Sequence, residues 1–267
     1  MDELIDIGAN LTHDSFAADR DTVIANARAA GVVQMVVTGA DEAGSVDAAG
    51  LAKDYPGVLF ATAGVHPHHA ADFTRDTESV FRELYAERRV VAVGETGLDY
   101  VRDFSPRATQ RRAFERHLEM AAETGLPMFL HQRDAHDDFI AMLREWRQRL
   151  GAVVVHCFTG GDVELAHYRE LDCHIGITGW LCDERRGAHL QDVVGQIPAD
   201  RLMAETDAPY LKPRDLRPKV KTRRNEPQWL PWIIQRLAAC RGEPVARTAA
   251  VTTATARTFF GLPSAPA

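Results

Sequence analysis

Short apolar runs that end in a polar residue recur along this chain. Four of them end in side chains that bind metals or exchange protons. They span residues 90–95, 128–131, 153–156 and 202–207, and they end in Glu95, His131, His156 and Asp207. Each run is short and rich in β-branched or large apolar residues, which is typical of buried parallel strands. Their spacing is that of a repeated β-α unit.

Four further runs have the same character and bring the strand candidates to eight. They span residues 4–7, 34–38, 59–64 and 173–177. Helical periodicity falls between the strands, and the clearest helices are predicted at 22–30, 110–124, 134–150 and 230–241, with Asp134 as the N-cap of the third. Eight β-α repeats favour a closed (β/α)8 TIM barrel, and we expect one domain over residues 1–267. No GxGxxG follows the first strand, so a dinucleotide-binding fold has little support.

The carboxyl ends of parallel strands meet on one face of a barrel. Two carboxylates and two imidazoles gathered there predict a divalent-metal hydrolytic site, with Glu95, His131, His156 and Asp207 as metal ligands. Asp207 is also the candidate general base. Glu205 should point to the same side as Asp207, as a catalytic carboxylate or as one that orients a liganding histidine.

Composition and charge narrow the class of protein. The net charge of −7 and the sequence pI near 5.9 argue against a protein that coats nucleic acid non-specifically. The four cysteines form no CxxC pair, residues 1–3 lack the features of a signal peptide, and no run of about 18 apolar residues suggests a membrane span. We expect a cytoplasmic protein without membrane association, and a monomer is favoured.

The segment 211–227 reverses the overall charge. It contains seven cations, Lys212, Arg214, Arg217, Lys219, Lys221, Arg223 and Arg224, against Asp215 and Glu226. Basic loops are commonly just solvated. This loop, however, should leave the active-site face of the barrel, where an electropositive rim would steer a polyanion inward. Arg223 and Arg224 are therefore candidate substrate-binding residues.

Other candidates for substrate contact lie at predicted strand ends and loops. Arg133 offers a bidentate fork for phosphate, or else pairs with Asp134 or Asp137. His66 either contacts a phosphate oxygen or protonates the leaving group, or else stabilises the turn before Pro67. Of the aromatic residues Tyr100, Phe158, Trp180 and Tyr210 on predicted top-face loops, Trp180 and Tyr100 are the candidates for stacking on unpaired bases.

Several motifs, in order, resemble the TatD family of metal-dependent hydrolases. They are GVHPH at 64–68, GETGLDY at 94–100, LHQR at 130–133, HCF at 156–158, ETDAPYL at 205–211 and RRNEP at 223–227. One departure is informative. Most of the family carries an HxH pair after the first strand, whereas this chain has Gly8 and Asn10 at those positions.

The resemblance implies a metal-dependent 3′→5′ exonuclease that acts on single-stranded DNA or RNA ends, with a role in DNA repair. It implies Mg²⁺, although the donor set also admits Mn²⁺ or Zn²⁺. Without the HxH pair we expect one tight site on Glu95, His131 and His156, and a second site that is weak or absent. Two alternatives stay open: another hydrolase on the same site, such as an aminoacyl-tRNA deacylase, and a non-catalytic nucleic-acid-binding adaptor.

Overall fold

The fold is a barrel of eight parallel strands, as predicted. The structure is a computed structural model that describes residues 3–266. Met1, Asp2 and Ala267 lie outside the described residues, and so does most of the segment 1–3, on which the signal-peptide prediction was made. Each strand pairs with the next along the chain. The strands are β1 (Leu4–Ala9), β2 (Val32–Val37), β3 (Leu59–Ala63), β4 (Val90–Asp99), β5 (Met128–Arg133), β6 (Val153–Val155), β7 (His174–Ile177) and β8 (Leu202–Ala204).

Backbone contacts between the end of β1 and the segment after β8 close the barrel. The Asp207 amide donates to the Gly8 carbonyl at 2.8 Å, and a parallel bridge joins Ala9 to Ala208. This closure brings the end of β8 against the end of β1. All eight predicted strands are therefore present, and their bounds agree with the prediction to within a few residues.

Helices follow the strands around the outside of the barrel. They are α1 (Arg20–Ala29), α2 (Glu42–Asp54), α3 (Arg75–Tyr85), α4 (Arg107–Thr124), α5 (His136–Trp146), α6 (Asp162–Glu170), α7 (Ala188–Val193), α8 (Leu230–Arg241) and α9 (Val245–Phe260). One detail of the prediction was wrong. Asp134 is not the N-cap of α5, because Ala135 occupies that position and Asp134 has a left-handed backbone with φ of 50°.

The core has an inner and an outer layer. Inward-facing strand residues such as Ile7, Phe129 and Met203 fill the barrel, and Phe259 and Phe260 of α9 pack beneath them. The outer layer packs the helices onto the strands. Helix α9 contacts the segments just before the strands, since Thr253 Oγ1 donates to the Glu3 carbonyl at 2.8 Å. Helix α9 therefore closes this end of the barrel, and the end formed by the carboxyl ends of the strands is the one where an active site can form.

Strand β4 is the longest strand and continues four residues past the predicted end at Glu95. Gly94 and Gly97 have φ of 142° and 143°, and a Cβ at either position would overlap a carbonyl oxygen of β5. The pairing register with β5 also shifts between Val93 and Thr96. The two glycines thus let β4 lie unusually close to β5 where Glu95 leaves the strand.

Residues 205–226 connect β8 to the short 3-10 turn before α8 with no helix or extended strand, as predicted for the basic loop. Among the described residues, no helix is both long and apolar enough to cross a membrane.

Candidate active site

Glu95 lies at the centre of a cluster of imidazoles at the open end of the barrel. Its Oε1 atom is 2.8 Å from His156 Nε2, 3.0 Å from His131 Nδ1 and 3.5 Å from His66 Nε2. Single donor atoms of His66, Glu95 and His131 all lie within 4.8 Å of one another. The side chains come from the ends of four strands, β3 to β6, and Glu95 is only 6% exposed. The structure therefore gathers three histidines predicted from the sequence around one carboxylate oxygen of the predicted Glu95.

A buried carboxylate stands behind His156. Glu205 Oε2 is 3.3 Å from His156 Nδ1, and Glu205 Oε1 accepts the Cys157 amide at 2.5 Å. Gly8 and Gly176 make room for this carboxylate, because a Cβ at either position would lie 2.5 Å from one of its oxygens. When Glu205 accepts the proton on Nδ1, the Nε2 lone pair of His156 faces Glu95. This is the geometry by which carboxylates orient metal-binding histidines.

A second carboxylate, Asp99, stands behind His131, and the sequence analysis did not assign it. Asp99 Oδ2 is 3.4 Å from His131 Nε2 and 3.0 Å from His68 Nε2, and its Oδ1 accepts the amides of Val101 and Arg102. These partners hold the pKa of Asp99 well below its usual range against the effect of its burial. The GETGLDY motif carried this residue, but nothing in its spacing indicated that it reaches the histidines.

Asp207 is held at the end of β8 by the loop after β1. Asn10 Nδ2 donates to Asp207 Oδ1 at 3.0 Å, and the backbone of Asp207 is left-handed with φ of 53°. Burial raises the pKa of Asp207 to about 7, and the nearby charges of Glu95 and Glu205 add to the shift although His156 opposes it. A carboxyl group with a pKa near neutrality can both take up and release a proton at physiological pH.

The pKa values of Glu95 and His156 are shifted in the directions expected of a site in which a cation can replace protons. Burial raises the pKa of Glu95, but His156 and His66 outweigh it and hold that pKa well below its usual range. Burial lowers the pKa of His156, but Glu95 and Glu205 outweigh it and raise that pKa well above its usual range. A divalent cation among these side chains would take the place of protons on the imidazoles.

The donor atoms themselves fit a divalent metal. Neighbouring ligands of an ion with bond lengths near 2.1 Å lie about 3.0–3.4 Å apart, close to the distances around Glu95 Oε1. His131 Nε2 is a buried polar atom that has no hydrogen bond of acceptable geometry within residues 3–266. Mixed imidazole and carboxylate donors suit several divalent ions, so the donor set does not select one.

His66 differs from the other two imidazoles. Its Nδ1 accepts the His68 amide at 3.1 Å, which is the turn-stabilising role considered for it. Burial lowers the pKa of His66 well below its usual range, so the ring is neutral and carries its proton on Nε2. His66 Nε2 therefore points a donor into the site. Such a group suits an acceptor oxygen of a substrate better than a metal.

The predicted phosphate partners lie in different environments. Arg133 ends β5 on the same side as Phe129 and His131, and within residues 3–266 it makes no ion pair, either with Asp134 or with Asp137. Arg223 is exposed and likewise has no ion pair in the described part of the chain.

Arg224, by contrast, has a structural role. It forms a bidentate pair with Asp19 at 2.7 and 2.8 Å, a further pair with Glu226 at 2.8 Å, and a cation-π contact with Phe16. Its guanidinium ties the basic loop to the segment before α1, which leaves little of it for a substrate.

The two aromatic residues predicted to stack on bases are engaged in packing. The Tyr100 hydroxyl donates to Asp138 at 2.6 Å, and Arg107 covers its ring at 4.3 Å. Trp180 packs against the core, and Arg186 covers its ring at 4.3 Å. A guanidinium therefore already occupies one face of each ring.

Cys157, which adjoins His156, has the properties of a packed thiol. Its burial, together with the charges of Asp207 and Glu205, raises its pKa well above the usual range. All four cysteines are unpaired. A thiol in this environment is a poor nucleophile.

Comparison with known proteins gives a consistent result. Residues 5–261 match the family model described as TatD related DNase. A protein of Erwinia amylovora named 3′-5′ ssDNA/RNA exonuclease TatD is 49% identical over 97% of this chain and 100% of its own length. The protein of the same name from Escherichia fergusonii is 48% identical over 97% of this chain and 99% of its own.

Solved structures also resemble this one over nearly the whole chain. A TatD homologue of Escherichia coli K12, YjjV, superposes with a TM-score of 0.88 at 26% identity, covering 97% of this chain and 98% of its own. A TatD family hydrolase of Entamoeba histolytica gives a TM-score of 0.85 at 25% identity, covering 98% and 99%.

Proposed function

Since the chain belongs to the family of TatD-related DNases, we propose that it is a metal-dependent exonuclease that removes nucleotides from the 3′ ends of single-stranded DNA and RNA. The observation that carries this proposal is the convergence of three imidazoles on Glu95 Oε1 at 2.8–3.5 Å. The names of the relatives, at 48–49% identity over almost their full length, supply the substrate class.

Glu95, His131 and His156 are the side chains proposed to hold the metal, with Asp207 beside them. A divalent ion supplies Lewis acidity to a phosphoryl oxygen and lowers the pKa of a water molecule to about 7 in favourable sites. Glu205 and Asp99 keep the two imidazoles in the orientation that presents nitrogen lone pairs to the ion.

Three further side chains act on the substrate in this proposal. Asp207, whose pKa is raised to about 7, takes the proton from the attacking water. His66 donates from Nε2 to a phosphoryl oxygen or to the leaving oxygen. Arg133, which has no ion pair in the described residues, binds a non-bridging phosphate oxygen at the same mouth.

We propose one tight metal site, with Mg²⁺ as the physiological ion and any second site weak or absent. Gly8 and Asn10 offer no imidazole, and the Glu205 carboxylate fills the space that a side chain at position 8 would need. Calorimetric titration with Mn²⁺, and then competition by Mg²⁺ and Zn²⁺, measures the number of sites. Two equally tight sites would contradict this part of the proposal.

A strand end is the proposed substrate because the site lies inside a barrel mouth beside the basic loop. Among the described residues, Arg217, Lys219, Lys221 and Arg223 of that loop have no ion pair. These cations attract a polyanion with a rate that falls as salt rises.

A cytoplasmic location, a monomeric state, a role in DNA repair and a single domain over 1–267 stay predictions.

Hydrolysis of 5′-labelled single-stranded oligonucleotides with Mg²⁺ tests the function. We expect a ladder that shortens from the 3′ end with DNA and with RNA, and no cleavage of a covalently closed single-stranded circle of the same sequence. Efficient cutting of the circle would contradict an exonuclease. An intact oligonucleotide with every divalent ion tried would contradict nuclease activity and favour an ester substrate such as aminoacyl-tRNA.

A further inference from the structure

Two of the described phenylalanine, tyrosine and tryptophan side chains are exposed, and both lie at the open end of the barrel: Phe104 at 67% and Tyr210 at 51%. We propose that Phe104 and Tyr210 are stacking platforms for the bases on either side of the scissile phosphate of a single strand. This inference rests on the proposed function and adds residues that position its substrate.

Phe104 lies in the loop between β4 and α4, next to the metal cluster. Its ring meets the ring of His68 edge to face, with 4.8 Å between centroids. His68 Nε2 bonds Asp99, and Asp99 approaches His131. Three successive contacts therefore link the Phe104 ring to the proposed ligand His131, while most of the ring surface is open to solvent. An apolar ring in this position contributes little to the core, but it offers a flat surface to a base.

Tyr210 lies across the mouth from Phe104, because β8 and β4 are on opposite sides of an eight-stranded barrel. The Tyr210 amide donates to the Asp207 carbonyl at 2.9 Å, and the ring meets His13 edge to face at 5.8 Å.

Unpaired cations accompany both rings. Arg102, two residues before Phe104, is exposed and forms no ion pair within residues 3–266. Arg223, in the same loop as Tyr210, also has none there. Aromatic rings beside unpaired cations are how proteins bind single strands without reading sequence, since every base has a π-face and every nucleotide has a phosphate. The proposed occupant is therefore an unpaired base.

The proposal is tested by combining a change in the protein, which removes an aromatic ring, with a change in the substrate, which removes the bases. Phe104→Leu keeps the apolar bulk and removes the π-face, whereas Phe104→Trp keeps a π-face. Tyr210→Leu and Tyr210→Phe form the matching pair. Each protein is assayed on a 5′-labelled oligonucleotide and on the same oligonucleotide with abasic residues at its last two 3′ positions. Val245→Ala, an exposed apolar residue at the start of α9, is the control for surface truncation.

We expect each leucine variant to lower kcat/KM on the normal oligonucleotide by about fivefold or more, the usual effect of losing one base–aromatic stack. On the abasic oligonucleotide, which has no base to stack, kcat/KM of the leucine variants should equal that of wild type. The tryptophan, phenylalanine and Val245 variants should stay close to wild type on both. Equal losses on the two substrates would overturn the proposal, because the rings would then be acting on loop structure rather than on bases.

A binding measurement separates this inference from the proposed function. If wild type cuts no oligonucleotide, the proposed nuclease activity fails, but stacking is still measurable from the fluorescence of 2-aminopurine placed at the 3′ end, with EDTA present. Quenching by wild type that is lost in both leucine variants supports the platforms. Quenching that is absent in wild type, or unchanged in the leucine variants, overturns them.

Discussion

At the scale of single residues, the active site depends on which nitrogen of each histidine carries the proton. Glu205 accepts from the outer nitrogen of His156, and Asp99 lies 3.4 Å from the outer nitrogen of His131, whereas His66 accepts a backbone amide at Nδ1. The same residue type is therefore set up for two tasks. Two imidazoles are proposed to bind the metal, and one is proposed to donate to the substrate.

Glu205→Gln tests the role of the buried carboxylate. The variant loses the charge that orients His156, so we expect metal affinity to fall about 10- to 100-fold. Hydrolysis should recover at high Mg²⁺ if the fold is intact, as circular dichroism would show. Calorimetry with Mn²⁺ gives the affinity directly.

Glu184→Gln is the matched control, because Glu184 is exposed and pairs with Arg214 away from the histidines. It should bind metal like wild type. Unchanged affinity in Glu205→Gln would mean that Glu205 only fills space between Gly8 and Gly176.

The residue scale also shows what could be predicted from the sequence. Glu95, His131 and His156 come at the ends of apolar runs, and Asp207 follows such a run after two polar residues, so their convergence at one mouth follows from strand periodicity. Asp99 was missed because its position depends on the continuation of β4 past the irregular pairing at Gly94, which leaves no periodic signal.

At the scale of elements, strand β4 places the central carboxylate by approaching β5 closely. Gly97→Ala should disrupt this approach, because φ is 143° there and a Cβ would overlap the His131 carbonyl. We expect a loss of stability of more than about 3 kcal/mol, together with a loss of hydrolysis, since both Glu95 and His131 would be displaced.

Gly125→Ala separates backbone conformation from crowding. Gly125 also has a positive φ, 71°, but nothing lies within 4 Å of its Cβ position. The Gly125→Ala variant should have a free energy of unfolding about 1 kcal/mol lower than wild type and an unchanged kcat. Denaturant unfolding and steady-state kinetics are measured for Gly97→Ala and Gly125→Ala. Equal losses of stability and activity in the two variants would contradict the close approach of β4 to β5.

Helix α4 fixes the end of β3 through a neutral histidine. His117 Nδ1 donates to the Ala113 carbonyl at 2.7 Å, and Nε2 accepts the Val65 amide at 3.1 Å, next to His66. Burial lowers the pKa of His117 to about 4. The unfolded chain, with an ordinary histidine pKa near 6.5, therefore binds a proton more readily than the folded protein.

Stability from His117 should be fully present above pH 6.5 and should be lost as the pH falls from 6.5 towards 4. A shift of this size corresponds to about 3 kcal/mol by pH 4. His117→Gln has no titrating group, so its unfolding free energy should depend less steeply on pH over this window. Urea titrations between pH 7 and 4 compare the slopes, and parallel curves would contradict this role.

Helix α9 shows why element prediction from sequence was incomplete. Its buried face carries Thr248, Thr252 and Thr253 rather than an unbroken apolar stripe. The hydroxyls are satisfied locally or by the strand ends, as when Thr252 Oγ1 donates to the Thr248 carbonyl at 2.9 Å. Buried polar groups with partners are stable, but they hide the periodicity by which a helix is recognised.

At the scale of the whole molecule, stability and chemistry are assigned to opposite ends of the barrel. Phe260 of α9, only 5% exposed, packs with Phe259 beneath the inner core, far along the strands from Glu95. Phe260→Ala should cost about 3–5 kcal/mol of stability by leaving a cavity.

The same variant should keep kcat and KM near wild type below its lowered melting temperature. Differential scanning calorimetry and steady-state kinetics on one preparation provide the comparison. A loss of activity without a loss of stability would contradict this division between the two ends.

The central claim is that one divalent metal, held around Glu95, carries hydrolysis of a single-stranded 3′ end. The most direct measurement takes wild type and Glu95→Gln through Mn²⁺ equilibrium dialysis and 5′-labelled oligonucleotide hydrolysis in parallel, with Glu184→Gln as control. We expect one tightly bound ion and a 3′-shortening ladder in wild type and in the control. Glu95→Gln should lose both, and EDTA should abolish the ladder until metal is restored. Full hydrolysis by Glu95→Gln, or hydrolysis that survives complete removal of the metal, would contradict the account.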